Sequence, residues 1–177
     1  METILDEWNN RKIYKVLTSK DIDIITDENL EQAIFDNIYE NIKENLSNEL
    51  QNIRKLTKGQ QGFWATWILE GEVNNGGFNQ FYFNSSGQFA EMAEKGFMMM
   101  GAKKHAELTS KANKIYLENK DKLTKFDDGT VENFSKSYEN NPLNALDTEF
   151  YELGNEENFS ELRIKYIRTH KNEFINK

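Results

Sequence analysis

The amino-acid sequence predicts an all-α protein: a single globular domain of about seven or eight helices. Three observations point to this class. Apolar residues recur every three or four positions over long stretches, which is the period of a helix with one buried face. Only one proline interrupts the 177 residues, and proline strongly disfavours a helix interior. Finally, the chain has no internal repeat and no low-complexity linker, so it reads as one domain.

The domain is predicted to cover residues 27–177, after a short irregular N-terminal segment of residues 1–26. In that segment, the apolar residues between positions 13 and 17 suggest a short helix. The isoleucines at positions 22 and 24 alternate with aspartates, as they would in a brief extended piece. This segment is the part of the chain that the sequence specifies least.

The first long helix is predicted from Asp27 to between residues 50 and 55. Its apolar side chains recur every four positions, at Leu30, Ile34, Ile38, Ile42 and Leu46. Thr26 or Asp27 can cap its N-terminus through a side-chain oxygen. The outward face is predicted to form an acidic ridge of Glu31, Asp36, Glu40 and Glu44.

A second helix is predicted over about residues 58–73. Its apolar face combines two tryptophans with other large side chains, namely Phe63, Trp64, Trp67 and Ile68. Gly71 lies on the same face, where the missing side chain would let another element approach closely. Large rings therefore form much of the predicted core, in keeping with 12% aromatic residues.

A sharp elbow is predicted after this helix. The run Asn74-Asn75-Gly76-Gly77 ends the helix, because asparagine and glycine tolerate left-handed backbone. The aromatic residues that follow need a core, so the elbow is expected to be buried. The chain then restarts as a short helix whose apolar face is formed by Phe78, Phe81 and Tyr82.

The remaining helices are separated by clear stop signals. The run at residues 84–87 marks the next break, and a Met-rich helix then ends at Gly101. Periodicity is lost between residues 120 and 141, where Asp127-Asp128-Gly129 predicts a turn. Further helices are predicted over about residues 102–119, 142–154 and 159–174.

The composition excludes several classes of site. The chain has no cysteine, so it holds no disulfide, thiolate metal ligand or cysteine nucleophile, and a reducing compartment suits it. The sequence shows no signal peptide and no apolar run long enough to span a membrane. We therefore expect a cytoplasmic protein without a membrane interaction.

The net charge of −8 is unevenly distributed. Residues 1–50 carry a balance of −7, residues 51–125 a balance of +4, and residues 126–177 a balance of −5. Two acidic flanks therefore surround a mildly basic centre. Direct nucleic-acid binding normally requires a basic face, so the charge argues against that class. An acidic surface instead suits a basic protein partner.

Catalytic and metal-binding patterns are weak. His105 and His170 are the two histidines, and each falls on an apolar stripe, where a hydrogen-bonded core imidazole is the common outcome. No Glu-x-x-His pair with the spacing of a di-iron bundle is present. The glycine pair of the elbow precedes a phenylalanine, which does not match a phosphate-binding loop. We therefore predict no enzymatic activity, no cofactor and no metal site.

The elbow concentrates polar side chains within a short stretch. These residues are Glu72, Asn74, Asn75, Gln80, Asn84 and Ser86. Side chains of these types satisfy free backbone groups at helix ends, which predicts a structural role. The alternative is a small polar pocket for a small molecule or substrate, lined by Trp64, Trp67, Phe81 and Tyr82.

The same stretch carries a long motif. Its residues are Glu72, Asn74, Asn75, Gly76, Gly77, Phe78, Gln80, Phe81, Asn84, Ser86 and Gly87. This set resembles the signature of the DMP-type DNA-mimic proteins, a family long described as a domain of unknown function. Later pieces agree with it, at Gly101-Ala102 and Tyr166-Ile167. The resemblance covers about residues 28–175.

The resemblance implies an acidic, α-helical protein that forms a homodimer and imitates the phosphate charge of DNA. Such a protein occupies a DNA-binding protein, for example a transcriptional regulator, because carboxylates on helices can compete with the duplex. The necessary surface acids lie outside the motif. The candidate partner surface consists of Asp27, Glu28, Glu31, Asp36, Glu40 and Glu44 on one flank and Asp147, Glu149, Glu152, Glu156 and Glu157 on the other.

The function predicted from the sequence is therefore a non-enzymatic acidic protein-binding module, with DNA mimicry as its specific form. A toxin-neutralising, immunity-type inhibitor is a related alternative. A small-molecule-binding or enzymatic domain at the elbow belongs to a different class. The binding module predicts that the two acidic flanks share one face, whereas the pocket predicts an accessible cavity beside Glu72, Gln80 and His105.

Overall fold

The computed structural model describes residues 11–126 and 130–176. The predicted turn at Asp127-Asp128-Gly129 and the first ten residues of the N-terminal segment lie outside this range. The α-helices of the described residues are α1 (Ser19–Ile24), α2 (Asp27–Ile42), α3 (Glu49–Ile53), α4 (Lys58–Phe83), α5 (Ala90–Met100), α6 (Lys103–Glu118), α7 (Lys120–Leu123), α8 (Val131–Lys136), α9 (Asn144–Leu153) and α10 (Phe159–Thr169). Short 3₁₀ segments occupy Lys43–Asn48, Ser85–Phe89, Thr124–Phe126 and Lys171–Glu173.

The predicted all-α class is confirmed, since the described part of the chain contains no β-strand. Four of its α-helices have six residues or fewer. The longer ones correspond to the apolar stripes of the sequence, with α4 divided into two by a kink. Short helices are hard to predict from sequence, because one or two turns contain too few apolar positions to establish a helical period.

The predicted end of the first long helix between residues 50 and 55 was wrong, because α2 ends at Ile42 and the backbone of Asn45 is non-helical. Leu46 of the predicted stripe is accordingly 44% exposed.

The long helix α4 lies at the centre of the fold. It packs along α5, and α5 packs along α6 in turn. Helix α9 contacts both α4 and α6, while α2 and α10 close the opposite side. Five phenylalanines without solvent exposure fill the space between these layers: Phe63, Phe78, Phe81, Phe89 and Phe97.

Two glycines set the closest approach of α4 and α5. A Cβ atom on Gly96 would lie 2.8 Å from the carbonyl oxygen of Gly62 and 2.9 Å from its Cα. The two backbones therefore touch, and any side chain here would force the helices apart. The sequence prediction placed such a contact at Gly71, which was wrong, because nothing lies within 4 Å of the corresponding Cβ position.

The N-terminal segment differs from its predicted conformation. Residues 13–17 are not helical, and residues 19–24 form α1 rather than an extended piece. The reason is local: Thr18 accepts a hydrogen bond from the amide of Asp21, whose carboxylate accepts one from the amide of Thr18. This reciprocal cap starts a helix, and it leaves Ile22 and Ile25 one turn apart on the buried side.

The same segment joins the C-terminal end of the described chain. The amide of Leu17 donates to Oδ1 of Asn176 at 2.6 Å, and the amide of Asn176 donates to the carbonyl oxygen of Leu17 at 3.0 Å. The side chain of Asn37 on α2 also donates to Asn176 at 3.0 Å. Residues 17–25 are thus packed into the same core as the helical domain.

A buried arginine ties three helices together. Arg163 of α10 is 2% exposed and pairs with Glu31 of α2 and with Glu70 of α4, the latter at 2.9 Å. Its guanidinium carbon lies 4.5–5.5 Å from the ring centres of three aromatic side chains, Phe63, Trp67 and Phe159. The planar guanidinium suits this position because it can bond two carboxylates while its faces contact rings.

We predict that Arg163→Met lowers the free energy of unfolding by about 3 kcal/mol, since it leaves two carboxylates without their shared cation. Arg163→Lys should fall between this variant and the unsubstituted protein, because an ammonium group lacks the fork geometry. Urea denaturation at neutral pH measures both effects. Arg54→Met at an exposed position is the control, and equal midpoints for the two methionine variants would contradict the assigned role.

Candidate functional site

The predicted elbow is a break inside α4. Gly77 has φ 73° and ψ −179°, a conformation that only glycine adopts without strain, and Gly76 before it is also non-helical. A Cβ atom on Gly77 would overlap the carboxylate of Asp147. The helix resumes at Phe78, so the double glycine lets the chain turn sharply and bring α9 close to the break.

Three side chains from residues 138–151 satisfy the backbone groups that the break frees. Oδ1 of Asp147 accepts a hydrogen bond from the amide of Phe78 at 2.8 Å. The hydroxyls of Tyr138 and Tyr151 donate to the carbonyl oxygens of Gly76 and Val73, each at 2.8 Å. The elbow is therefore capped from a distant part of the chain.

Three polar residues of the motif converge on the carboxylate of a fourth, Glu72. Glu72 accepts hydrogen bonds from the side-chain amides of Gln80 and Asn84, at 2.6 and 2.9 Å, and from the hydroxyl of Ser86 at 3.0 Å. These bonds hold the end of the first half of α4 against its second half, through Gln80, and against the residues that follow, through Asn84 and Ser86. Within the described residues no cation pairs with Glu72.

The remaining motif residues have separate positions. Asn74 and Asn75 are exposed and stand outside the cluster around Glu72. Phe78 and Phe81 are fully buried in the core. Gly87 lies against the backbone of α4, where an added Cβ would be 3.1 Å from Cα of Tyr82. The motif thus combines a turn, a carboxylate clamp and an aromatic plug.

Sequence reasoning missed a buried amide pair behind the elbow. Asn79 donates to the hydroxyl of Ser137 at 2.7 Å, and Asn141 donates to Oδ1 of Asn79, also at 2.7 Å. All three residues are buried. Asn79 lies between buried aromatic positions, which marks it as an inward-facing amide, but nothing local identifies partners about sixty positions away.

The polar groups expected to line a ligand pocket bond to the protein itself. Glu72 and Gln80 bond to each other, and His105 is 4% exposed and bonded to Glu157. A cavity next to the second half of α4, lined by residues that include Asn79 and Tyr82, has a volume of about 30 Å³. Such a space holds little more than a water molecule.

The N-terminal acidic flank is largely engaged within the fold. Asp36 is 4% exposed and pairs with Arg11 at 2.7 Å, so its place in an outward acidic ridge was wrong. The cause is that Arg11 and Gln32 both bind this carboxylate. Other acids of this flank pair with neighbouring cations, namely Asp27 with Arg168, Glu31 with Arg163, and Glu40 with Lys43. Among the described contacts, Glu28 and Glu44 have no such cation.

The C-terminal flank forms a groove between α6 and α9, which we call the acidic groove. It has a volume of about 460 Å³ and contains the carboxylates of Glu107, Glu149, Glu152 and Glu156 together with Lys104 and Lys111. Lys111 pairs with Glu149 at 2.7 Å and Lys104 with Glu156 at 2.5 Å. Glu107 was not among the acids predicted for this surface, although it lies opposite the apolar stripe of α6.

Two acids of the C-terminal flank act as caps instead. Asp147 holds the elbow, as described above, and burial raises the pKa of its carboxyl group. Glu157 accepts hydrogen bonds from the amides of Lys104 and His105, at 3.1 and 3.0 Å, and its oxygen lies 2.6 Å from Nδ1 of His105. Burial favours the protonated form of Glu157, but these hydrogen bonds outweigh it and lower its pKa.

We predict that Asp147→Ala destabilises the protein by about 1–3 kcal/mol, because the amide of Phe78 loses its acceptor. Asp147→Asn should keep the stability near that of the unsubstituted protein, since its amide oxygen accepts the same hydrogen bond without a buried charge. Urea denaturation at neutral pH measures the difference. Thr148→Ala at the exposed neighbour is the control. Equal urea midpoints for Asp147→Ala and Thr148→Ala would refute the capping role.

We predict that Glu157→Gln lowers stability at neutral pH by about 1 kcal/mol, the typical value of a helix N-cap. Because the pKa of Glu157 in the fold is below its ordinary value of 4.5, its contribution is present above pH 4.5 and is lost as the pH falls through the folded pKa. The two proteins should therefore converge in thermal midpoint under acid conditions. Glu156→Gln is the control, and a difference independent of pH would contradict this account.

None of the described helices is both long and apolar enough to cross a membrane.

Comparisons with known proteins place the chain in a family. No curated protein and no solved structure shows significant similarity to the chain. The family model of the DMP19-like proteins matches residues 54–170, which include the elbow, its caps and the acidic groove. Since this match covers more than half of the 177 residues, the chain belongs to the DMP19-like protein family.

Proposed function

We propose that this chain is a non-enzymatic, acidic protein-binding module that occupies a DNA-binding protein by imitating the charge of DNA. The acidic groove is the surface we assign to this role. One observation carries the proposal: four carboxylates, those of Glu107, Glu149, Glu152 and Glu156, line one groove between two helices. Membership of the DMP19-like family, which fits a DNA-mimic protein, supports the same function.

The charges of the acidic groove suit a basic partner. Lys104 and Lys111 each pair with one carboxylate, so Glu107 and Glu152 are the two acids of the groove without a cation among the described residues. These two exposed side chains can meet arginine or lysine side chains that otherwise contact phosphates. The paired acids can exchange their lysines for cations of the partner, because exposed ion pairs are weak.

The position of the carboxylates also supports the proposal. Glu107 projects from α6, Glu149 and Glu152 project from α9, and Glu156 lies in the turn that follows α9. Rigid contacts hold both helices in place, because Glu157 caps α6 and Asp147 fixes α9 to the elbow. A fixed array loses little entropy on binding, which strengthens recognition of a charged surface. The N-terminal flank offers fewer unpaired carboxylates, since most of its acids already pair with cations of this chain.

The predicted outcome is that duplex DNA and this protein compete for the same partner. The immobilised protein is exposed to a lysate of its own source at low salt, and bound proteins are eluted with short duplex DNA. We expect the eluted protein to be a DNA-binding protein and its retention to fall steeply with salt. Binding of the purified partner to labelled operator DNA then measures the competition directly.

Two double variants separate the acidic groove from net charge. Glu107→Gln with Glu152→Gln removes the unpaired acids of the groove, and we expect it to weaken competition about tenfold or more. Glu28→Gln with Glu44→Gln makes the same change in net charge on the other flank and should compete normally. Equal weakening by both would overturn the assignment of the surface. A captured protein that duplex DNA does not displace would overturn DNA mimicry and favour the toxin-neutralising alternative.

The proposed homodimer and cytoplasmic location stay predictions from the sequence. Neither enters the design of these experiments, since competition is measured with the full chain whatever its oligomeric state. The absence of catalysis is likewise part of the proposal. It is supported by the elbow, where the side chains of Gln80, Asn84 and Ser86 all donate hydrogen bonds to the carboxylate of Glu72.

A further inference from the structure

A second groove on the molecule has the opposite charge, and we call it the basic groove. It lies between the end of α3, the start of α4, and helices α5 and α6, and its volume is about 580 Å³. The groove carries three cationic side chains, Arg54, Lys58 and Lys95, against the single carboxylate of Glu91. The basic groove therefore has a local excess of positive charge, whereas the whole chain has a net charge of −8.

The cations of the basic groove are open to a partner. Arg54, Lys58 and Lys95 are all exposed, and Arg54 has no ion pair among the described residues. Lys95 pairs with Glu91 at 3.6 Å, but both side chains are about four-fifths exposed or more, so that pair contributes little. Lys58 donates to Gln61, which is a neutral acceptor. An incoming carboxylate can therefore meet each of these three cations.

The floor of the basic groove is apolar and well supported. Leu117 of α6 is 68% exposed, and the partly buried side chains of Leu50 and Met92 also line the groove. Tyr116 stacks on Tyr82 with ring centres 4.3 Å apart. Covering a leucine with this exposure, next to other apolar side chains, removes apolar surface from water and so favours binding of a partner.

We propose that the basic groove is a second docking site, which binds an acidic amphipathic segment of a partner protein. Apolar side chains of that segment cover Leu50, Met92 and Leu117, and its carboxylates meet Arg54 and Lys95. This pairing of an apolar floor with charged edges is the pattern by which grooves bind amphipathic segments. The site goes beyond the proposed DNA mimicry and does not depend on it, because it shares no residue with the acidic groove.

Nucleic acid fits the basic groove less well than an acidic peptide does. Nucleic-acid surfaces use many cations along a backbone track and aromatic rings with free faces for the bases. Here three cations surround one carboxylate, and Tyr82 is 7% exposed with its ring against Tyr116. The acidic character of the rest of the molecule would also repel a long polyanion.

The test uses a fluorescently labelled synthetic helix of about 16 residues, with leucines along one face and glutamates along the other. Fluorescence anisotropy measures its binding to the full chain at low and at moderate salt. A second peptide with glutamine in place of every glutamate is the charge control, because a basic peptide could bind the acidic groove. We expect binding of the acidic peptide only, weakening as salt is raised.

Variants of the protein locate the site. Arg54→Glu with Lys95→Glu should weaken binding of the acidic peptide about tenfold or more, and Leu117→Ser should weaken it without affecting the fold. Lys103→Glu with Lys120→Glu makes the same charge change at exposed positions outside the groove and should bind normally. Circular dichroism confirms folding of each variant.

Several results would overturn the proposal. These are no binding of the acidic peptide, equal binding of the glutamine peptide, equal effects of the two charge-reversal variants, or competition by short duplex DNA at the basic groove. Self-association that Arg54→Glu with Lys95→Glu abolishes, without any peptide binding, would assign the groove to a second copy of this chain instead. Glu107→Gln with Glu152→Gln should leave peptide binding unchanged, which separates this test from that of DNA mimicry.

Discussion

The capping of the break at Gly76-Gly77 is the constraint on which the rest of the structure depends. A helix interrupted inside a core leaves backbone groups that must find partners, and here Asp147, Tyr138 and Tyr151 provide them. The consequence reaches beyond the elbow, because these contacts fix α9 against α4. Glu149 and Glu152 project from α9, so the contacts that cap the elbow also hold one wall of the acidic groove in place.

The acids of this chain divide into two groups with different roles. Glu72, Asp147 and Glu157 accept hydrogen bonds that hold helix ends, and Asp36 pairs with Arg11 inside the fold. Their charge is not available to a partner, so net charge overstates the negative potential of the surface. Fewer acids are left outside, and a basic groove lies elsewhere on the same molecule. Opposite charge on separate grooves allows two different partners, each recognised by the potential it meets.

Much of the architecture follows from local sequence. The apolar stripes predicted α5, α6, α9 and α10, and they predicted α2 but not its end at Ile42. The glycines predicted the elbow and the left-handed stop at Gly101, whose φ is 88°. The prediction failed where local signals compete: Ile22 and Ile24 alternate with aspartates, yet the Thr18 cap starts a helix there. The close helix contact was predicted at Gly71, whereas the structure has it at Gly62 and Gly96. Whether a glycine allows two helices to approach depends on where the neighbouring helix lies, which the local sequence does not show.

The sequence by itself determined that the chain is helical, where its main break lies and which family signature that break carries. These are properties of residues within a few positions of one another, such as helical periodicity and the tolerance of glycine for positive φ. Only the tertiary structure decided which carboxylates are caps and which face a groove. Asp147 and Phe78 are 69 positions apart, and Glu157 and His105 are 52 apart. The role of an acid is set by the donor it meets, and that donor is chosen by the packing of distant helices.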